Sequence, residues 1–250
     1  MTLFALCITF LILLVLGMPI AFAIGTACLV ALVVSGDSLI LLQHFMFIGV
    51  DSFVLVAVPM FVLAGEIMLK GRMTRALTDF ADILVGRFRG GMGHTNIAAS
   101  VFFAGITGSA SADTTALGSV LIPTMAERGY SRAYATAITI ASSVIGPIIP
   151  PSLTFVIYAM AVGGVSIGEL FAAGIIPGLL VALALMVMNY RISRARNYEK
   201  RTERYSWSFI ASTFRASLLV LVMPLLIIFG VLGGEFTATE AAAVASIYAL

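Results

Sequence analysis

Charge is scarce in this chain of 250 residues: Asp, Glu, Lys and Arg together make up 10 %, against about 25 % in a soluble domain. Hydrophobic residues make up 61 %, where roughly 45–50 % is usual. An ordinary soluble globule and a disordered chain are therefore excluded. Cysteine is nearly absent. Cys7 and Cys28 are the only two, and on one helix they would lie ~32 Å apart, which excludes a bridge within it. A disulfide scaffold is excluded with it. No Lys or Arg precedes Lys70, so the first apolar run lacks the basic n-region of a cleaved signal peptide. The net charge of +2 is spread over short loops and forms no basic face for nucleic acid. No Cys/His/Asp cluster has metal-ligand spacing, and no Ser-His-Asp order, P-loop or GxGxxG appears. Enzymatic activity is not expected. The apolar runs are long enough for helices rather than barrel strands, so the expected fold is an all-α integral membrane protein.

The basic residues that are present come in groups: Lys70, Arg72 and Arg75; Arg87 and Arg89; Arg128 and Arg132; then Arg191 to Arg215. Each group marks the cytoplasmic side by the positive-inside rule, and the N-terminus is expected there too. Residues 3–34 would form a kinked span, bent or broken at Gly17-Met18-Pro19. The turn at residues 35–38 carries no basic residue and reads as external. A second span covers residues 45–69, with Glu66 spaced to pair with Lys70. Residues 72–89 place Met73, Leu77, Phe80, Leu84 and Phe88 at three- and four-residue intervals. Arg72, Arg75, Asp79, Asp82 and Arg87 fill the other faces, so an interfacial amphipathic helix is expected.

Residues 90–126 have basic groups at both ends, which places both ends on one side of the membrane. Their middle, residues 104–119, is Gly, Ala, Ser and Thr except for Ile106, Asp113 and Leu117. A re-entrant helical hairpin fits, its tip near residues 107–111. Residues 133–162 contain Pro147, Pro150 and Pro151. Prolines so spaced break a helix, leaving two half-helices and an unwound link with free carbonyls. Residues 171–190 and 214–232 would be spans, joined by a basic cytoplasmic loop at 191–213. Thr237-Ala-Thr-Glu240 has capping-box spacing and opens a helix over 237–250. Those 14 residues are short of the ~20 a span needs, so the sequence is expected to be a piece of a longer protein.

A hydroxyl-rich tip and a proline-broken helix together offer half-helix ends, carbonyls and hydroxyl oxygens, an arrangement that suits a cation or an anionic substrate. Each feature alone also has a plain reading, close helix packing or a proline kink. Asp113 is either a functional carboxylate or an N-terminal cap of the second hairpin helix. His94 and Asn96 read as hydrogen-bonding residues.

Five segments carry a family resemblance along the whole chain: Val58-Pro-Met-Phe-Val-Leu-Ala-Gly-Glu-Ile-Met68, Phe103-Ala-Gly-Ile-Thr-Gly-Ser-Ala-Ser-Ala-Asp113, Ala116-Leu-Gly-Ser-Val-Leu-Ile-Pro123, Ala141-Ser-Ser-Val-Ile-Gly-Pro-Ile-Ile-Pro-Pro-Ser152 and Phe236-Thr-Ala-Thr-Glu-Ala-Ala-Ala243. They resemble the large, DctM-like membrane subunit of tripartite ATP-independent periplasmic (TRAP) transporters. The resemblance implies the first repeat of an elevator-type fold in a bacterial or archaeal inner membrane. It implies Na⁺-coupled import of organic acids such as C4-dicarboxylates or sialic acids. It also implies two partners, a four-helix DctQ-like subunit and a DctP-like periplasmic binding protein. Carried onto this sequence, the Na⁺ site would comprise Thr107, Ser109, Gly146, Ile149 and Pro151. Ser111, Asp113 and Ser152 are the substrate-region candidates. A channel with a re-entrant selectivity loop is the alternative from another class, and an assembly subunit without a transport role is a third.

Overall fold

A computed structural model of the chain describes residues 1–70, 73–198 and 205–250, apart from the side chains of residues 69 and 70. The Glu66–Lys70 pair, Arg72 at the start of the amphipathic segment, and Lys200, Arg201 and Arg204 of the basic loop lie outside the described residues. Every regular element among the described residues is helical, and the chain divides into two units at residues 52 and 53.

The first unit, Met1–Ser52, holds α1 (Thr2–Val15), α2 (Ile20–Ser35) and α3 (Ile40–Val50). Residues 3–34 form two helices packed on each other instead of one kinked rod. Gly17 takes a left-handed φ of 81°, and Pro19 is the N-cap of α2. A left-handed residue and a missing backbone donor end a helix rather than bend it. Ala23, Ala27 and Ala31, four apart, are the buried residues of α2. Small side chains at that spacing let two helices approach closely.

The second unit, Phe53–Leu250, begins with a 3₁₀ turn at Phe53–Val56 and α4 (Ala57–Lys70). The single span expected over residues 45–69 is thus interrupted: α3 stops with Asp51 as its C-cap. Asp and Ser compete for backbone hydrogen bonds in non-helical conformations, and Asp51-Ser52 supplies both. Then follow α5 (Met73–Val85), α6 (Gly91–Thr107), α7 (Ala110–Glu127), α8 (Arg132–Ser143), α9 (Leu153–Val162), α10 (Ile167–Ala195), α11 (Trp207–Leu232) and α12 (Ala238–Ala249). The helices α10 and α11 are long and apolar enough to cross a membrane. Both outrun the expected spans, so Arg191 and Arg194 sit on helix rather than in loop. Arg is a good helix former and can carry its charge away from an apolar layer on a long stem. Thr237 and Glu240 form the reciprocal capping box of α12.

Helix α6 is the hub. It contacts α4, α5, α7, α8, α10 and α11, and only Val101 and Phe102 on it are not fully buried. A helix enclosed on all sides must satisfy its polar groups internally. Asn96 donates to Thr139 at 2.7 Å and accepts from Ser142 at 3.2 Å. Ser100 donates to Ser142 at 2.8 Å. This polar seam ties α6 to α8. Asn96→Ala should cost about 1–3 kcal/mol, because it strips buried partners from Thr139 and Ser142. A melting temperature equal to the parent's in detergent would contradict that.

At the base of the hairpin, Asn189 on α10 accepts from the Tyr134 hydroxyl at 2.7 Å and donates to the Gly90 carbonyl at 3.2 Å. The face that α5 buries also differs from the expected apolar stripe. Thr74, Leu77, Thr78, Ala81 and Asp82 are buried, while Leu84 and Phe88 are exposed. Asp82 is accommodated because Thr95 donates to it at 2.9 Å and Tyr205 also bonds its carboxylate.

Candidate functional site

Two irregular segments meet at the centre of the second unit. The first is the link between α6 and α7, residues Gly108 and Ser109. Gly108 has φ +58°, and a Cβ there would collide with the Pro151 carbonyl oxygen. Only glycine combines that backbone conformation with that approach. The second is the stretch between α8 and α9. Backbone bonds from Ile145, Gly146, Ile148 and Ile149 to the preceding turn keep it coiled. Helix α9 restarts at Ser152, whose hydroxyl accepts from the Phe155 amide at 3.2 Å and donates to the Pro147 carbonyl at 2.6 Å.

Around Gly146 the segments come together. A Cβ built there would lie 2.7 Å from Asp113 Oδ2, 3.1 Å from the Ser143 carbonyl oxygen and 3.3 Å from the Ser109 carbonyl carbon. Asp113 has no exposed surface. Its Oδ1 accepts from the Thr107 hydroxyl across the tip. Its Oδ2 has no hydrogen-bond partner among the described residues. The carboxylate does not cap α7: it stands in the first turn of that helix but bonds a side chain, not an amide. A buried carboxylate oxygen without a partner is costly unless a proton or a cation accompanies it. With the Thr107 hydroxyl and adjacent carbonyls, the donor set is all hard oxygen, which suits an alkali cation better than a soft metal.

Of the sequence candidates, Thr107, Ser109, Asp113, Gly146 and Pro151 converge on this junction. The Ile149 side chain packs against Gly178 of α10. The Ser152 hydroxyl is engaged within the broken segment. The Ser111 hydroxyl lies 3.1 Å from that of Ser109, and with Thr107, Ser109, Thr115 and Ser119 it lines a cavity of about 1130 Å³ beside the tip. Glu66 of α4 and Arg75 of α5 line the same cavity. Sequence reasoning did not join them to the hairpin. The available signal was a carboxylate, Glu66, inside an otherwise apolar run. His94 and Asn96 are both buried. Asn96 is fully bonded, while His94 Nε2 has no partner among the described residues.

A family model for the DctM component of the tripartite ATP-independent periplasmic transporter matches residues 7–250. The chain is 43 % identical over 238 residues to the sialic acid TRAP transporter large permease protein SiaM of Vibrio cholerae, covering 94 % of this chain and 55 % of that protein. It is 33 % identical over 253 residues to the C4-dicarboxylate TRAP transporter large permease protein DctM of Rhodobacter capsulatus, covering 93 % and 56 %. It is 40 % identical over 243 residues to the isethionate TRAP transporter permease protein DctMQ of Oleidesulfovibrio alaskensis, covering 96 % and 38 %. The chain thus spans about half the length of the large-permease relatives. The family consists of transmembrane transporters, not enzymes. The match along nearly the whole length, over the segments that build the junction of hairpin and broken helix, makes this chain a member of the DctM family of TRAP transporter large permeases.

Proposed function

We propose that this chain forms part of the large permease of a Na⁺-coupled importer of organic acids in the inner membrane. The observation that carries the reading is the Asp113 oxygen beside Gly146, which has no partner among the described residues, at the contact of the hairpin tip with the broken segment. Na⁺ would sit there, held by the Thr107 and Ser109 hydroxyls, the Asp113 carboxylate and carbonyls of Ser109 and the 146–151 stretch. Half-helix ends and unwound carbonyls at membrane depth hold coupling ions in this way. The substrate is an acid because the relatives are named for sialic acid, C4-dicarboxylate and isethionate, and it would occupy the neighbouring hydroxyl-lined cavity. The α6–α7 hairpin enters from the basic, cytoplasmic side and moves with the broken helix as one elevator body. A four-helix DctQ-like subunit holds the scaffold, and a DctP-like binding protein delivers the substrate.

The test is uptake into proteoliposomes by the full-length permease with its small subunit and binding protein. Uptake should saturate with substrate and require an inward Na⁺ gradient. Thr107→Ala or Ser109→Ala should raise the Na⁺ concentration for half-maximal uptake several-fold. Na⁺-independent, non-saturating flux would instead identify a channel, and unchanged Na⁺ dependence in both variants would remove the ion from this junction.

A further inference from the structure

The cavity beside the tip holds two opposite charges that the ion site does not use, Glu66 on α4 and Arg75 on α5. Both are exposed. Among the described residues, the Arg75 guanidinium makes no hydrogen bond or salt bridge, nor does the Glu66 carboxylate. Asp79, one turn further along α5, is the acid that feels the charge of Arg75. Burial, and then the charge of Asp82, push the Asp79 carboxyl above its ordinary range, and Arg75 opposes them. This through-space effect leaves the donors of the guanidinium uncommitted. The α7 wall supplies Ser111, Thr115 and Ser119. Thr115 and Ser119 donate their protons back to carbonyls of their own helix, at 2.9 Å and 2.8 Å. Each therefore presents an oxygen that can accept.

We infer that Arg75 is the carboxylate-binding residue of this cavity and that the cavity takes a hydroxylated organic acid with one carboxylate. The inference rests on the transporter reading above. A guanidinium offers a planar fork that matches a carboxylate in two parallel hydrogen bonds. Glu66, when ionised, can only accept, so it pairs with a ligand hydroxyl or amide N–H and repels a second carboxylate. The acceptor oxygens of Thr115 and Ser119 also call for donors on the ligand. A plain dicarboxylate satisfies Arg75 and leaves its other end facing acceptors. A polyhydroxylated monocarboxylate satisfies both walls. The volume of about 1130 Å³ admits a ligand of that size, since sites for drug-sized molecules run to about 1,000 Å³.

The experiment uses the full-length permease with its small subunit in nanodiscs at saturating Na⁺. N-acetylneuraminate and succinate are titrated separately by calorimetry. N-acetylneuraminate should bind at least tenfold more tightly than succinate. Arg75→Gln should weaken N-acetylneuraminate at least tenfold without lowering the melting temperature, because Arg75 makes no hydrogen bond or salt bridge among the described residues. Arg75→Lys should retain part of the affinity, keeping the charge but losing the fork. Glu66→Gln should narrow the difference between the two probes. Parental affinity in Arg75→Gln, with Na⁺-driven uptake intact, overturns the assignment and spares the transporter reading. Tighter binding of succinate overturns the substrate class. Failure of the parent to bind either probe overturns the inference, and Na⁺-independent, non-saturating flux overturns the transporter reading with it.

Discussion

Gly108→Val is expected to abolish Na⁺-driven uptake and to lower the stability of the full-length permease more than any other single change at the hairpin tip. Two costs combine. The residue has φ +58°, a left-handed conformation that costs an L-residue about 1–2 kcal/mol, and a β-branched one most of all. The added Cβ would also meet the Pro151 carbonyl oxygen, with the Leu153 amide nitrogen at 3.1 Å. Neither is the free end of a flexible side chain, so relief requires the tip and the broken segment to part. Overpacking of that kind costs about 1–3 kcal/mol. The sum is about 2–5 kcal/mol. Gly108→Ala carries both costs with less bulk and should fall between parent and valine variant. Thermal unfolding of the purified permease and uptake by proteoliposomes measure the two effects separately. A valine variant that melts and transports like the parent would show that the tip does not press on residues 151–153.

Asp113→Asn is expected to leave the fold nearly intact and to raise the Na⁺ requirement at least tenfold. The amide has the shape of the carboxylate and can still accept from Thr107 through its oxygen. What it lacks is the negative charge beside Gly146. A tenfold loss corresponds to ~1.4 kcal/mol, modest for removing a charge from a buried ion pair. Asp113→Ala goes further, because it leaves the buried Thr107 hydroxyl only the long contact of 3.4 Å to the Phe103 carbonyl, at about 1–3 kcal/mol of stability. The asparagine variant thus separates ion binding from folding. Half-maximal uptake at the parental Na⁺ concentration in Asp113→Asn would make the carboxylate a purely structural partner of Thr107.

These two residues show how far the sequence could be read. The motif from Phe103 to Asp113 marked the tip, and the three prolines from Pro147 to Pro151 marked the break, because each is a local violation of helix chemistry. No local rule pairs Thr107 with Asp113 across a left-handed turn, or sets Asp113 beside Gly146, 33 positions away in the chain. The Asn96–Thr139–Ser142 seam was equally hidden, since its members are ordinary helix residues until two helices bring them together. In α5, apolar spacing set Asp82 on a different face from the stripe of Met73, Leu77, Phe80 and Leu84, as if it were a solvated charge of an interfacial helix. Asp82 instead turned inward, because Thr95 and Tyr205 were there to meet its carboxylate.

Residence in a membrane, helical architecture and the two places where helices must stop follow from composition and residue order alone. Bilayer solvation, backbone geometry and proline's missing donor act over a few residues at a time. The meeting of tip and broken segment, the isolated carboxylate oxygen and the cavity shared by Glu66, Arg75 and the α7 hydroxyls came from packing. Those contacts join positions remote in the chain, and only close approach at small residues, Gly108 and Gly146 above all, brings their atoms within reach of one another.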